Sequence, residues 1–266
     1  MNDSRPIGVF DSGVGGLTVV RALSNRLPNE NIVYFGDTAR VPYGPKSPHV
    51  VREYAAQDTE VLLGHDVKLI VVACNTVSAV ALDVVQKRSR VPVVGVIVPG
   101  SGAAVRASRT KRIGVIGTAG TIRSRAYVNA IHLIDTTVQV FGQACPLFVP
   151  LVEEGWIDHP ATRIVAKEYL FPLQLEKVDT LVLGCTHYPL LAGTMRAVFQ
   201  TSVTLIDSGE AAAAEVESEL RSRGLINAST VKPRLQFLVS DISDKFAEVG
   251  ERFLGRTLGR VSRVSF

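Results

Sequence analysis

The chain has 266 residues, of which 46% are hydrophobic, and it carries a formal net charge of +4 at pH 7. A chain of this length buries enough apolar surface to fold without disulfide bonds or a structural metal. Its 29 basic residues are interspersed with 25 acidic ones and only 6% of its residues are aromatic, which argues against a nucleic-acid partner. The three cysteines form no Cys-x-x-Cys pair, so we expect no zinc site.

The amino-terminal residues MNDSRPIGVF lack a basic segment followed by a long apolar stretch, so we expect no signal peptide and a cytoplasmic location. No apolar run approaches the roughly 18 residues that a membrane-spanning helix needs. We therefore expect no membrane partner, and the cysteines of a cytoplasmic chain are expected to be reduced.

Short apolar runs alternate with segments of helical periodicity in the first hundred residues. The apolar runs are IGVFDS, NIVYFGD, KLIVVACNT and VPVVGVIV. The helical patterns between them are GLTVVRALSNRL, HVVREYAAQDTEVLLGH and VSAVALDVVQKR. This alternation is typical of a parallel sheet covered by helices on both faces, and it predicts an α/β fold.

The same alternation begins again after Gly100. A helix near 102–108 is followed by predicted strands KRIGVIGT, TVQVFGQ, DTLVLGCTH and VTLIDS, with helices TIRSRAYVNAI, ATRIVAKEYLFPLQ and LLAGTMRAVF between them. The halves also share residues, since IGVFDSGVGGLTVVRAL is echoed by IGVIGTAGTIRSRAY, and KLIVVACNTVSAV by DTLVLGCTHYPLL. We predict two similar α/β domains related by approximate two-fold symmetry, one formed by 1–98 and 207–266 and the other by 99–206.

Two cysteines occupy equivalent places in these halves. Cys74 follows Ile7 by 67 residues, and Cys185 follows Ile113 by 72. Because ligands of parallel sheets bind beyond the carboxyl ends of the strands, both cysteines are predicted to face one cleft between the domains. The start of a helix at each position favours a thiolate. Two opposed thiols suit proton removal from one face of a carbon atom and proton delivery to the other face, which inverts its configuration.

This reaction needs donors for a substrate carboxylate and groups that tune the thiols. Asp11 lies on the rim of the first predicted domain and His187 lies two residues beyond Cys185, so each is a candidate to tune its neighbouring thiol or to relay protons. The Pro42-Tyr43-Gly44 turn is a further candidate for substrate contact. The hydroxyl and amide candidates at predicted strand ends are Ser12, Asn75, Thr76, Thr121 and Thr186.

Two other functions fit parts of the pattern. The glycine-rich loop 13–18, with Asp37 24 residues after Gly13, is reminiscent of a dinucleotide-binding turn, but Thr18 stands where a third glycine is expected and Asp11 would repel a pyrophosphate. A non-catalytic amino-acid-binding protein fits the two-domain pattern but leaves the paired cysteines unexplained. We expect structural or incidental roles, and no part in catalysis, for the remaining cysteine and histidines: Cys145, His49, His65, His132 and His159.

Four ordered motifs, GVFDSGVGGLTV, VYFGDTARVPYGPKS, VVACNTVSA and LVLGCTHYPLL, resemble those of the glutamate racemases in the aspartate/glutamate racemase family, as does the tail SDISDKFAEVGERFLG. The resemblance spans the chain and departs at Val77, where that family often has a smaller residue. It implies two α/β domains around a cleft and a homodimer. It also implies cofactor-independent interconversion of L- and D-glutamate for peptidoglycan synthesis. A related racemase acting on aspartate stays open.

The resemblance also implies roles for individual residues. Cys74 is implied to deprotonate D-glutamate and Cys185 to deprotonate L-glutamate, with no metal. The residues implied to contact substrate or assist are Asp11, Ser12, Tyr43, Gly44, Asn75, Thr76, Thr186 and His187, with Asp37 and Glu153 also implicated.

Overall fold

The computed structural model describes residues 3–199, 203–243 and 245–265. The strands are β1 (Ile7–Asp11), β2 (Ile32–Gly36), β3 (Leu69–Val72), β4 (Val93–Gly95), β5 (Arg112–Gly117), β6 (Gln139–Ala144), β7 (Thr180–Gly184), β8 (Thr204–Asp207), β9 (Leu235–Val239) and β10 (Val261–Arg263). The helices are α1 (Leu17–Arg26), α2 (Pro48–Leu63), α3 (Asn75–Val80), α4 (Leu82–Arg88), α5 (Ile97–Ala107), α6 (Ala119–Arg123), α7 (Ala126–Ile134), α8 (Phe148–Glu153), α9 (Pro160–Leu175), α10 (Ala192–Phe199), α11 (Ser208–Ser222) and α12 (Phe246–Leu254). A 3₁₀ turn covers Tyr188–Leu191.

These strands form two parallel sheets in the described part of the chain. The first has the order β10-β9-β2-β1-β3-β4, and the second has the order β6-β5-β7-β8. The first four strands of the chain and the next four are therefore arranged in the same spatial order. The repeated motifs in the sequence correspond to a repeated topology, and the predicted class of two parallel α/β sheets is confirmed.

Helices cover both faces of the first sheet. Its central strands β1, β2 and β3 are buried at every residue, as expected for near-continuous apolar runs in a parallel sheet. The helix α1 buries Leu17 and Leu23 completely, and full burial of one such side chain contributes about 1.5–3 kcal/mol. The sheet therefore offers a rigid base for the loops at its carboxyl edge.

The chain leaves the first sheet after β4 and returns to it with β9 and β10. The helix α11 packs against both α1 and α5, so it joins the two halves. A buried ion pair anchors the returning segment, because Lys68 Nζ lies 2.6 Å from Glu30 Oε2 and donates to the carbonyl oxygens of Asp3 and Leu225, each at 2.7 Å. Within the described residues, no helix combines the length and the apolar character needed to cross a bilayer.

Three predicted elements differ from the structure. The predicted helix after Cys74 is divided at Ala81, which ends α3 and precedes α4 with φ −139°. The predicted helix over 121–131 is divided by Arg125, whose φ of +56° is left-handed. The predicted strand VPVVGVIV is shorter, since α5 begins at Ile97. Pro99 follows this run directly and lies in the first turn of α5, where a proline loses no hydrogen bond, so the end of the apolar run can begin a helix.

Candidate active site

A cavity of about 50 Å³ lies between the carboxyl edges of the two sheets. The loops that follow β1, β2, β3, β5 and β7 line it, as the rule for parallel sheets predicts. The lining includes ten of the residues singled out in the sequence: Ser12, Tyr43, Gly44, Cys74, Asn75, Thr76, Glu153, Cys185, Thr186 and His187. Both candidate cysteines therefore face the same small space.

Three candidate residues lie behind this lining, and the lining also contains residues that were not candidates. Asp11, Asp37 and Thr121 are buried but do not line the cavity. Thr118 does line it, with its hydroxyl 3.0 Å from Thr121 Oγ1, and could have been recognised as the last residue of the predicted strand KRIGVIGT. Val149 belongs to α8, for which the sequence pattern predicts no element, so no signal pointed to it.

The thiol of Cys74 is held at the start of α3. It is 5% exposed, and its Sγ donates to Ser12 Oγ at 3.7 Å. Burial and then the charge of Asp11 raise the pKa of Cys74 to about 12, although the backbone at Val77 and the Ser12 hydroxyl oppose the shift. The expectation that the helix start favours a thiolate is therefore wrong here, because loss of solvation outweighs the few N–H groups of a six-residue helix. Cys74 rests as a thiol.

The thiol of Cys185 lies immediately after β7 and faces a histidine. Its Sγ is 3.8 Å from His187 Nδ1, and His187 Nε2 is 2.8 Å from Glu153 Oε1. Burial lowers the pKa of His187, but its hydrogen bonds to Cys185 and Glu153 outweigh burial and raise the pKa to about 10. The imidazolium form of His187 is thus favoured, and it lies where it can stabilise a thiolate on Cys185.

Asp11 ends β1 in a buried position near both cysteine loops. Its Oδ2 accepts a hydrogen bond from Gly13 N at 3.2 Å, while its Oδ1 is buried and accepts none from the residues that the structure describes. Burial raises the pKa of Asp11 to about 6, against the opposing effects of His187 and nearby backbone N–H groups. A buried carboxylate oxygen that lacks a donor is a candidate acceptor for a substrate ammonium group.

The glycine-rich loop after β1 packs against the second cysteine loop. A Cβ atom on Gly15 would lie 2.2 Å from Thr186 Oγ1 and 2.6 Å from His187 Nδ1, so only glycine allows this approach. Thr18, which stands where a dinucleotide-binding turn has its third glycine, donates to the carbonyl oxygen of Thr186 at 3.0 Å. The loop therefore joins the two sides of the cleft, and packing accounts for its glycines.

Two direct contacts close the cleft beside the cavity. Gly120 N donates to Gly44 O at 3.1 Å, and the hydroxyls of Thr76 and Thr118 are 2.9 Å apart. In each pair, one residue follows a strand of the first sheet and the other follows β5 of the second. With a cavity this small, the structure represents a closed form of the cleft.

Cys145 and two of the remaining histidines lie outside this cavity. Cys145 is fully buried in the hydrophobic core, and its Sγ donates to Gln143 O at 3.6 Å. His159 Nδ1 accepts a hydrogen bond from Ala161 N at 3.1 Å and so caps α9. His132 Nε2 lies 3.0 Å from Val138 O.

Comparison with known proteins gives one consistent result. The model of the family described as Asp/Glu/Hydantoin racemase matches residues 10–216. The glutamate racemase of Syntrophus aciditrophicus is 54% identical, covering 97% of this chain and 96% of that protein, and that of Chlorobaculum tepidum is 52% identical, covering 99% and 97%. The crystal structure of glutamate racemase from Francisella tularensis in complex with D-glutamate has a TM-score of 0.94 at 42% identity, covering 99% of this chain and 98% of that one.

Two matching α/β halves with one cysteine on each side of a shared cleft, together with these likenesses, define an amino-acid racemase. The chain belongs to the Asp/Glu/Hydantoin racemase family, and its relatives at about half identity are glutamate racemases.

Proposed function

We propose that this chain interconverts L- and D-glutamate without a cofactor, using Cys74 and Cys185 as acid/base groups on opposite faces of Cα. The observation that carries the proposal is that the cysteine after the equivalent strand of each sheet lines one cavity. For L-glutamate, the Cys185 thiolate removes the α-proton and the electron pair of the C–H bond stays on the substrate. The Cys74 thiol then protonates the opposite face, which leaves Cys185 as a thiol and Cys74 as a thiolate.

The surroundings of the two sulfur atoms support this assignment. Burial and then the charge of Asp11 raise the pKa of Cys74 to about 12, which favours the thiol form that donates a proton. The Sγ of Cys185 lies 3.8 Å from Nδ1 of His187, whose pKa is raised to about 10, so a cationic group faces the sulfur that removes the proton from L-glutamate. Reaction from D-glutamate starts with the opposite protonation states. These are the states that turnover of L-glutamate leaves behind, with Cys74 as the thiolate and Cys185 as the thiol.

Neighbouring groups bind the substrate in this proposal. Asp11 lies behind the cavity lining, and its free Oδ1 is the candidate acceptor for the ammonium group. Donors for the two carboxylates are the side chains of Ser12, Asn75, Thr76 and Thr186 and the backbone at Tyr43 and Gly44. Thr121 supports them from behind, with its hydroxyl 3.4 Å from that of Thr76. Asn75 is held in place for this role, because its Oδ1 accepts from Tyr127 Oη at 2.7 Å and its Nδ2 donates to Ser208 Oγ at 3.3 Å. Glu153 orients His187, and Asp37 acts from behind the cavity.

The wider role follows from the family resemblance. We propose that the product supplies D-glutamate for peptidoglycan synthesis in the cytoplasm and that the chain acts as a homodimer. Glutamate is preferred over aspartate because the curated relatives named above are glutamate racemases and the Francisella tularensis structure is a complex with D-glutamate.

The proposal is tested by incubating the protein with L-glutamate in D₂O without added cofactor. We expect optical rotation to fall to zero while deuterium replaces the α-proton in the D-glutamate formed. Exchange and racemisation with aspartate but not with glutamate would contradict the substrate assignment. Binding of glutamate without any exchange would instead support the binding-protein interpretation.

Single-cysteine variants separate the two faces of the substrate. Cys74→Ser keeps the base for L-glutamate, so it should exchange the α-proton of L-glutamate with solvent but not that of D-glutamate. Cys185→Ser should show the opposite preference, and both variants should lose racemisation by several powers of ten, about 10³-fold or more. Cys145→Ser is the matched control and should retain activity. Exchange of both enantiomers by either catalytic variant would contradict the two-thiol mechanism.

A further inference from the structure

A buried polar cluster lies behind the Pro42-Tyr43-Gly44 turn, on the side away from the cysteines. It contains Asp37, which follows β2, and Asp58, in the middle of α2, and both side chains are fully buried. Arg40 links them, since its Nε donates to Asp37 Oδ2 at 2.6 Å and its Nη2 donates to Asp58 Oδ1 at 3.0 Å. The cluster thus holds two carboxyl groups against one guanidinium group.

The side chain of Tyr43 is the member of the cluster that reaches the active site. Its hydroxyl donates a short hydrogen bond to Asp37 Oδ2 and also lies 3.1 Å from Asp58 Oδ2. Its ring packs against Tyr54, with centroids 5.4 Å apart, and the Arg40 guanidinium lies 4.1 Å from the Tyr54 ring centroid. The side chain of Tyr43 therefore connects the turn that lines the cavity to the buried carboxyl groups of Asp37 and Asp58.

Counting donors identifies which carboxyl group carries a proton. Asp37 accepts from three donors, namely Tyr43, Arg40 and the Ser240 hydroxyl, the last at 2.8 Å, as an ionised carboxylate does. The Tyr43 hydroxyl has one proton, and this proton is donated in the hydrogen bond to Asp37. Its second contact, with Asp58, is a hydrogen bond only if Asp58 is protonated and donates. One proton on the pair also leaves the cluster electrically neutral, which favours it in a buried place.

The electrostatic surroundings agree with this count. Burial, followed by the charge of Asp37, raises the pKa of Asp58 well above its usual value, and Arg40 opposes the shift only in part. Two carboxyl groups this close cannot both ionise easily.

The turn above the cluster offers unused backbone donors. Tyr43 and Gly44 line the cavity, and the structure gives their N–H groups no acceptor among residues 3–199, 203–243 and 245–265. Gly44 O is used differently, since it accepts from Gly120 N across the cleft. The turn therefore has two N–H groups available at the cavity and one carbonyl group engaged across the cleft.

We infer that Asp58 is a positioning residue that carries the shared proton of the Asp37–Asp58 pair and, with Arg40, fixes Tyr43 so that the turn presents its backbone N–H groups to a carboxylate of the substrate. This inference rests on the proposed glutamate racemisation. Asp58 does not line the cavity and contacts Tyr43 and Arg40, so it acts on substrate affinity through the turn.

Asp58→Ala and Tyr43→Phe test the inference by the separation of KM from kcat. Each removes one connection to the turn, so KM for glutamate should rise about tenfold while kcat stays within about threefold of wild type. Thr59→Ala is the matched control, because Thr59 is the next buried residue of α2 and its hydroxyl donates to Ala55 O within the same helix, at 2.6 Å. It should lower Tm without changing KM.

Asparagine variants locate the proton. Asp58→Asn keeps a neutral donor and an acceptor in place, so it should restore most of the affinity lost in Asp58→Ala. Asp37→Asn replaces a three-donor acceptor by a neutral amide, so it should raise KM as Asp58→Ala does. Equal damage from both asparagine variants, or unchanged KM in Asp58→Ala and Tyr43→Phe, would overturn the inference. Wild-type protein that fails to racemise glutamate would instead overturn the proposed function.

Discussion

The side chain of His187 connects the proposed acid/base residue Cys185 to Glu153. Its Nδ1 faces Cys185, its Nε2 faces Glu153, and its ring packs edge-on against Phe253 with centroids 4.9 Å apart. The side chain of Glu153 is 38% exposed, so solvent reaches the carboxylate that holds the buried imidazole. The ionisation of this pair is therefore a measurable property of the site.

Glu153→Gln should shift the pH dependence of turnover. Wild-type His187 has its pKa raised to about 10 by hydrogen bonds that include the one to Glu153, so its cationic form persists to alkaline pH. Loss of the negative charge lowers that pKa, and the alkaline limb of the kcat profile should move to lower pH. Because the enantiomers are equally stable, kcat/KM is the same for L- and D-glutamate in any variant and cannot distinguish the two directions. The pH profiles of wild type and variant are therefore compared through kcat, measured for each enantiomer.

Glu154→Gln is the control for this measurement. It removes the same charge from the next residue, but Glu154 pairs with Lys245 at 3.3 Å on the surface and does not touch His187. Its profile should match that of wild type. An unchanged alkaline limb in Glu153→Gln would show that Glu153 does not set the ionisation of His187.

Site residues that lie in loops of characteristic composition were predictable from the sequence. Residues that reach the site from a distant element were not. Cys74, Cys185 and His187 sit in loops whose composition already suggests chemistry, and the structure places all three at one cavity. Asp58 lies in the middle of a regular helix, 15 residues after Tyr43. Only the packing of α2 against the turn reveals that contact, so no local pattern could have indicated it.

At the scale of elements, the end of α5 is tied to the start of β7 by Asp179. Its carboxylate accepts three hydrogen bonds of 2.7 Å, from Ser108 Oγ and from the backbone N–H groups of Arg109 and Thr110. Burial raises its pKa, but these hydrogen bonds outweigh burial and lower the pKa to about 2. The tie holds the strand that carries Cys185 against the helix that leads into the second sheet.

Asp179→Asn should reduce the free energy of unfolding by about 1–3 kcal/mol at pH 7, as is typical for lost hydrogen bonds to a charged group. Since the pKa is depressed, the stabilisation is present above about pH 4 and is lost as the pH falls toward about 2, so the difference from wild type should shrink there. Urea unfolding at pH 7 and pH 3 measures it. Asp135→Asn, at an exposed turn, should have a smaller effect at pH 7, and an equal loss at both pH values would contradict the account.

The alternation of strands and helices was predictable because apolar runs and helical periodicity are local. Breaks inside helices were not, since Ala81 and Arg125 interrupt helical patterns that remain amphipathic on both sides. The short β10 was missed for another reason. It has three residues and depends on pairing with β9, so the neighbouring strand and not its own composition makes it a strand.

At the scale of the whole molecule, closure of the cleft relies on the close approach of Gly44 and Gly120. A Cβ atom on Gly120 would lie 2.8 Å from the backbone oxygen of Gly44, which cannot move aside as a side chain can. The cavity between the sheets is only about 50 Å³, so substrate entry requires the cleft to open. A methyl group at this contact should therefore favour the open form.

Gly120→Ala should lower kcat/KM about tenfold or more without lowering Tm, because alanine is the better helix former at the second residue of α6 while the added methyl group opposes closure. Gly193→Ala is matched to it, since Gly193 also lies in a helix and a Cβ atom added there would have nothing within 4 Å. It should keep full activity. Equal kcat/KM in the two variants would mean that this contact does not limit turnover.

The return of the chain to its first sheet has a consequence for synthesis on the ribosome. All strands of the second sheet come from one continuous stretch, 112–207, so that sheet can assemble as soon as the stretch has emerged. The first sheet is complete only after β9 (Leu235–Val239) has been synthesised. Until then, the edge of β2 that pairs with β9 has no neighbouring strand. A nascent chain stalled in this interval would expose an apolar strand edge to other chains, and it is at this point that aggregation would compete with folding.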